Sequence, residues 1–339
     1  MTGGISVVVP TLGRPSLAVL LHALASTDGV PPTPIELILV DDRPPGAPDL
    51  PVPPALAAVT RILRGRRAGP AAARNIGWRA AAYPWVAFLD DDVVPASGWL
   101  ARLAEDLDAS RHVVGVQGTV EVPLPADHPP TDWERVTLGL AQGRWITADM
   151  AYRREALATV GGFDERFPRA FREDADLAWR MRAAGGALAV GTRRVAHPVR
   201  PESPWVSVRT QAGNADDALL RRLYGSSWRR LLGVPAGRRH RHAVVTAAGL
   251  VAVGAALLRR RTLAAVAAAV WLGGTAEFAA ARIAPGPGTP AEVARMLVTS
   301  AVIPPMAVAH WLRGWWHHRA AKPWPAETFS PRRAPTAVR

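Results

Sequence analysis

The sequence predicts an α/β fold, a mostly parallel sheet covered by helices, followed by an apolar helical third. Three observations carry this. Short β-branched runs alternate with helix-patterned segments along the first part of the chain. Several of those runs end abruptly in carboxylates, as strands do when their carboxyl ends line a ligand crevice. After Arg209 the composition shifts to arginine clusters and long alanine-rich apolar stretches.

Each element follows in order. Ile5-Ser6-Val7-Val8-Val9-Pro10 reads as a buried first strand ended by proline. Residues 11–16 form a turn, and Pro15 or Ser16 opens a helix to about Ala25. Residues 35–40 make a second strand with Asp41 and Asp42 at its end, and residues 59–63 a third. A helix over 71–82 carries Arg74 and Asn75, a strand covers 85–89, and a helix covers 99–109. Residues 113–122 are β-rich and expected to cross the sheet edge, whereas 127–133 read as a proline-rich loop. Residues 146–152 form another strand, with a helix over 154–160 behind it. An acid-headed helix spans 172–182, its charges matching the macrodipole, and 187–190 form a short strand before His197.

The chemistry concentrates at Phe88-Leu89-Asp90-Asp91-Asp92. Ionised carboxylates need partners when they leave water, and adjacent ones raise one another's pKa unless a cation neutralises them. Three acids at the end of a buried strand point to Mg²⁺ or Mn²⁺, which prefer oxygen ligands. The competing reading is a solvated acidic turn. Pro10-Thr11, Asp41-Asp42 and the acidic triplet all lie at strand ends, so they converge on one crevice.

Composition narrows the classes. Cysteine is absent, which excludes disulfides, thiol nucleophiles and Cys-ligated zinc. A net charge of +13 suits a phosphorylated substrate, an anionic membrane or nucleic acid. No Lys/Arg–aromatic interleaving of an RNA module and no DNA-reading motif is present, so no nucleic-acid partner is expected. The N-terminal residues lack a basic, apolar leader, and the catalytic part is expected in the cytoplasm.

Together these pieces resemble glycosyltransferase family 2. The elements are Val7-Val8-Val9-Pro10-Thr11, Val40-Asp41-Asp42, Gly69-Pro70-Ala71-Ala72-Ala73-Arg74-Asn75-Ile76-Gly77, the strand with its acidic triplet, Gly161-Gly162-Phe163-Asp164 and Glu173-Asp174. The likeness covers about residues 4–200 and departs at Arg43-Pro44, where the family commonly has Gly-Ser. It implies a GT-A nucleotide-sugar-binding fold, a mixed sheet flanked by helices, and inverting transfer from a nucleoside-diphosphate sugar. The nucleotide would be held by Pro10, Thr11, Asp41 or Asp42, Arg74 and Asp91. Asp90 and Asp92 resemble the D-x-D pair that holds Mn²⁺ or Mg²⁺, and His197 completes the metal shell in some members. Asp174 would be the general base and Glu173 its neighbour orienting acceptor or base; the competing reading of both is helix capping. The Gln-x-x-Arg-Trp motif of processive synthases is missing, which implies addition of one sugar.

The catalytic domain is placed at 1–208 and a basic helical linker at 209–242. Membrane-associated helices follow at 243–320, and a disordered tail at 321–339. Residues 243–258, 263–281 and 296–312 are apolar, close to the roughly 20 residues a spanning helix needs. Spanning would put Arg259-Arg260-Arg261 on the far side, against the positive-inside tendency. In-plane helices with snorkelling arginines and Trp311, Trp315 and Trp316 at the interface are the alternative. A lipid or cell-envelope glycan acceptor is expected. A non-catalytic, membrane-bound or nucleic-acid-binding basic protein is the rival.

Overall fold

The computed structural model describes residues 3–26, 33–110 and 112–324. The expected disordered tail therefore lies largely outside the described residues. The chain separates into two compact units, the first built from residues up to 123 and from 139–199, and the second from 124–138 and 200–323.

The first unit contains an eight-stranded sheet of order β3-β2-β1-β4-β7-β6-β8-β5. Its strands are β1 Ile5–Thr11, β2 Ile35–Asp41, β3 Thr60–Arg64, β4 Trp85–Leu89, β5 Val94–Pro95, β6 Gly115–Glu121, β7 Asp149–Arg153 and β8 Leu188–Ala196. β3, β2, β1 and β4 run parallel, but β7 is antiparallel to both β4 and β6, and β5 is antiparallel to β8. The sheet is thus mixed. Alternation of strands with helices cannot reveal that reversal, because β6 reaches β7 through an excursion into the second unit.

Two differences from the strand expectations share one cause. β6 is not at the edge but lies between β7 and β8, and β8 is nine residues long rather than four. Gly191, Arg193 and Arg194 broke the apolar pattern, yet Arg193 is buried because Asp106 and Asp149 neutralise it, at 3.2 and 2.8 Å. A paired charge can therefore sit inside a strand that hydropathy ends early.

β1 and β2 are buried on both faces, which explains their unbroken apolar runs. Val7 and Val9 face one core with Leu17, Leu20 and Leu21 of α1 Pro15–Ala25. The short helix α2 Pro54–Ala57 adds Leu56 to the same core. Val8 faces the other core, with Ala71 and Trp78 of α3 Pro70–Ala80. α4 Trp99–Ala109 covers the first face through Leu100, Leu103 and Leu107.

The second unit begins with α5 Asp132–Leu138, whose start had been read as loop. The helices α6 Arg154–Val160 and α7 Glu173–Ala183 belong to the first unit, where they cover the second core through Leu157, Leu177 and Met181. The second unit continues with α8 Val206–Arg209, α9 Asn214–Tyr224, α10 Trp228–Leu232, α11 Arg239–Leu257, α12 Arg261–Ile283 and α13 Pro290–His317. α11, α12 and α13 are long and apolar enough to cross a membrane, judged by length and composition. α11 and α12 form a hairpin turning at Arg259-Arg260, with Phe278 against His242 at its base. At 1.5 Å per residue its first leg is about 28 Å long.

α13 stays at the base of this hairpin. Arg282, near the end of α12, donates to the hydroxyls of Thr299 and Ser300 at 2.8 and 3.0 Å, and Trp311 lies under Arg239 at 3.9 Å. The opposite flank of α13 packs on α9, where a Cβ at Gly314 would come within 2.5 Å of the Ala215 backbone. Arg282 also pairs with Asp132 at 2.7 Å, and the Asp132 N–H donates to Glu292 at 2.9 Å. These groups satisfy one another at a junction of α5, α12 and α13.

Candidate active site

The parallel strands bring their carboxyl ends level. Thr11 pairs in register with Asp41, and Val8 with Phe88, so the triplet following β4 stands beside Thr11. The Thr11 hydroxyl donates to Asp91 Oδ2 at 2.7 Å, joined by the Leu12 N–H at 3.2 Å, and Arg14 donates to Oδ1 at 3.1 Å. Asp91 is thereby fixed by the loop after β1. Arg14 was passed over in the sequence as part of a Gly-Arg-Pro turn.

Asp90 faces a different partner. Arg74, fully buried on the first turns of α3, donates to Asp90 Oδ1 and to Glu173 Oε1, both at 2.7 Å. One guanidinium therefore bridges the end of β4 and the head of α7. Burial alone would depress the Arg74 pKa, but the two carboxylates raise it above its ordinary value, so the cation is permanent. Phe163 completes the enclosure, packing edge-on against Phe88 at 5.1 Å and under Arg74 at 5.5 Å. Asn75 holds the Phe163 segment by accepting its N–H at 2.9 Å and donating to its carbonyl at 2.8 Å. Gly162 has φ +74, and a Cβ there would collide with Asn75 and Trp78, so the Gly-Gly-Phe turn needs glycine.

Asp92 meets His197 instead, with Nε2 and Oδ1 3.5 Å apart. The expected ligands thus divide: Asp92 and His197 come together, whereas Asp90 turns to Arg74. Among the described residues no group of three His, Asp or Glu side chains forms a metal cluster. An oxygen and an imidazole nitrogen are a donor pair that suits Mn²⁺ and tolerates Mg²⁺. Mg²⁺-type sites commonly take only one or two protein ligands and leave the others to substrate phosphates and water. The pair fits such a site.

The acids after β2 are engaged by protein groups. Arg43 grips Asp41 through Nε at 2.8 Å and Nη2 at 3.0 Å, and Arg64 adds a third bond at 2.8 Å. The Arg43 hydrogen bonds keep the Asp41 carboxyl below its ordinary pKa. Asp42 accepts the Arg67 and Gly69 N–H groups at 2.6 and 3.3 Å and so shapes the loop before α3. Gly69 has φ +92, and a Cβ there would lie 2.3 Å from the Pro168 carbonyl. Pro10 is half-buried within β1 beside Thr11. Arg43, the departure noted in sequence, is thus the principal partner of Asp41.

Glu173 and Asp174 open α7 but neither is its N-cap. That position belongs to Arg172, whose φ of 78° is uncommon for a residue with a side chain. Glu173 Oε2 is buried with no partner among the described residues. Burial first, then the Asp174 charge, pushes the Glu173 pKa up to about 7 despite Arg74. Asp174 keeps part of its surface exposed and accepts the Ala175 N–H at 2.7 Å. Protein packed around its other sides raises its pKa too. The site therefore offers two neighbouring carboxylates whose pKa values burial raises, that of Glu173 to about 7, set beside a fixed cation.

The family model described as glycosyl transferase family 2 matches residues 6–175, which is half of the chain. The chain belongs to glycosyltransferase family 2. It is a glycosyltransferase with a GT-A fold, and the matched range contains every site residue named above except His197. A pre-mycofactocin glycosyltransferase of Mycobacterium tuberculosis is 39% identical over 132 residues, covering 35% of this chain and 28% of that relative. The alignment thus spans under a third of the relative's length. Among solved structures, a mannosyltransferase from Pyrobaculum calidifontis in complex with GDP-Man and Mn²⁺ superposes with a TM-score of 0.52 and 19% identity. That likeness covers 92% of this chain and 87% of the other, and it shows a shared fold.

Proposed function

We propose that this glycosyltransferase moves a single sugar from a nucleoside-diphosphate donor to a lipid or cell-envelope glycan acceptor, by one displacement with inversion. The observation that carries the reading is the Arg74 bridge between Asp90 and Glu173, with Asp174 next in the chain. It couples the crevice at the strand ends, where a donor diphosphate belongs, to a pair of carboxylates on the acceptor side. The Pyrobaculum mannosyltransferase was solved with a nucleotide sugar and Mn²⁺, which supports a donor of that class.

In this reading Thr11, Pro10 and the Asp91–Arg14 pair line the nucleotide side, and Asp41 and Asp42 shape it through Arg43 and the 65–69 loop. Asp92 and His197 would hold Mn²⁺ or Mg²⁺, which when bound would supply positive charge to neutralise a diphosphate leaving group, while Asp90 anchors Arg74. Asp174 accepts the proton of the attacking hydroxyl. Its raised pKa suits this task, because a base is most effective when its pKa approaches the working pH. Glu173 positions Arg74 and, when protonated, spares Asp174 a neighbouring charge. Arg74 keeps both ends of the site at fixed separation.

Three apolar helices long enough to cross a membrane support a membrane-bound enzyme, and the arginine-rich flanks of the hairpin support a cytoplasmic catalytic part. The test is a panel of nucleotide sugars with Mn²⁺ or Mg²⁺, read as nucleoside-diphosphate release. Asp174→Asn should abolish turnover and retain donor binding, whereas Asp92→Ala should weaken metal-dependent donor binding. Undiminished turnover in either variant sinks the role given to that residue.

A further inference from the structure

The second unit contains a cavity that the transfer reaction does not use. It holds about 740 Å³ at the base of the α11–α12 hairpin, closed on one side by Pro304 of α13. Its wall is apolar, with Val244 and Val245 from α11 and Val270 and Gly274 from α12. Its rim carries Arg238, His240 and Arg241. The one acid at the rim, Glu277, pairs with both Arg238 and Arg241, the latter at 3.1 Å. One carboxylate against two guanidiniums leaves the rim net positive. Arg241 keeps 69% of its side chain exposed.

We propose that this groove binds an acidic phospholipid of the bilayer, its phosphate at Arg238 and Arg241 and its first acyl carbons along the valines. Three features converge on that occupant. The cavity volume suits a headgroup and a few methylenes, not a whole lipid. The basic rim sits where the polar N-terminal turn of α11 meets the apolar body of the hairpin, the level at which lipid phosphates lie if the hairpin is inserted. Large apolar side chains continue outward along the hairpin, with Leu250 70% and Val253 62% exposed, so an acyl chain leaving the groove meets more apolar surface. Basic clusters between membrane helices select acidic headgroups by the same charge match.

The inference rests on the membrane placement proposed above, and the test separates the two. The full-length chain is reconstituted into nanodiscs of phosphatidylcholine and phosphatidylglycerol in equal amounts, extracted gently, and its retained lipid is identified by native mass spectrometry. Wild type should retain phosphatidylglycerol preferentially. Arg238→Gln with Arg241→Gln should reduce that preference about twenty-fold or more, since each arginine near an anionic headgroup contributes about fivefold. Val244→Trp, which fills the groove and keeps every charge, should reduce it as well. Neutralising the tip by Arg259→Gln, Arg260→Gln and Arg261→Gln should leave it within twofold. A tip variant that loses as much as the groove variants would overturn the assignment, as would wild-type retention in both groove variants. Displacement of phosphatidylglycerol by equimolar polyprenyl phosphate would also overturn it, by making the occupant an acceptor-type lipid. Failure to enter nanodiscs of either lipid would overturn the membrane reading itself, and this inference with it.

Discussion

Arginine serves the two units in largely different ways, although Arg282 of the second is also locked by a carboxylate, that of Asp132. In the first, Arg74, Arg180 and Arg193 are almost completely buried, and each is locked by carboxylates: Arg74 by Asp90 and Glu173, Arg180 by Asp176, Arg193 by Asp106 and Asp149. In the second, arginines lie over indole rings: Arg222 over Trp315, Arg239 over Trp311, Arg229 over Trp228 and Arg319 over Trp316. A buried guanidinium with carboxylates on its fork is a fixed strut. One resting on an aromatic face near apolar helices is an amphipathic group that can serve an interface. The same residue type thus supplies rigidity in one unit and surface adaptability in the other.

The strongest way to break this contrast is to remove a strut. Arg74→Met and Arg193→Met each strand buried acids and should each cost about 3–5 kcal/mol, read as a lowered thermal midpoint. Only the Arg74 site should separate catalysis from stability. Arg74→Lys should keep most of the fold while losing roughly 10²-fold or more in turnover, because a point charge cannot span Asp90 and Glu173 as the fork does. Equal activity losses in Arg74→Lys and Arg193→Lys would erase the distinction.

Next in size is the proton held by the carboxylate pair. Between the ordinary value of 4.5 and about 7, folded Glu173 holds a proton that the unfolded chain has released. Stability contributed by this group is therefore present below pH 4.5 and declines as pH rises toward 7. Glu173→Gln should flatten that decline in thermal melts across the window. In kinetics, turnover should fall on acidification with a limb near neutrality belonging to the pair, and Glu173→Gln should move the limb to lower pH. A limb that stays in place would remove Glu173 from the coupling.

Smaller effects belong to the second unit. Arg222→Ala and Arg239→Ala should cost only about 1 kcal/mol each, as part-buried cation–π pairs do. Neither should change turnover on a soluble acceptor, but both should weaken vesicle association in flotation assays. Smallest of all, Arg43→Ser should change the relative KM for uridine- and guanosine-based donors by a few fold, by freeing Asp41 from its principal partner.

The sequence showed its clearest signal where apolar runs stop. The ends of β1, β2 and β4 were legible because buried parallel strands tolerate few polar residues, so Thr11, Asp41 and Asp90 stood out. The directions of the acids were not legible. Nothing in Asp-Asp-Asp tells that the first turns to Arg74, the second to Thr11 and the third to His197, since those choices depend on contacts many residues away. Arg14 and Arg64 do not stand out as site residues, and Arg43 does so only as a departure from the family pattern, for the same reason: an arginine beside a turn reads as solvated until its carboxylate is placed beside it. β8 was underestimated because hydropathy treats Arg193 as a break, whereas two acids make it part of the core. The two legs of the hairpin were plain in the sequence, yet the course of α13 across their base was not, because composition reports how long a helix is and not where it goes.

The segment holding Asp132 has a practical side. In sequence it sits between β6 and β7, two neighbouring strands of the first unit, but it clusters with the helices of the second. The chain accordingly passes from one unit to the other at 123, back at 138, out again at 199 and back at 323. No single cut separates such a molecule. A truncation before α11 would remove Arg282 and Glu292, leaving the Asp132 carboxylate with Arg135 alone, at 3.4 Å, and its N–H without its acceptor. Shuffling the catalytic part onto another anchor would require α5 to be replaced together with the helices, so segment and hairpin should have changed hands as one cassette.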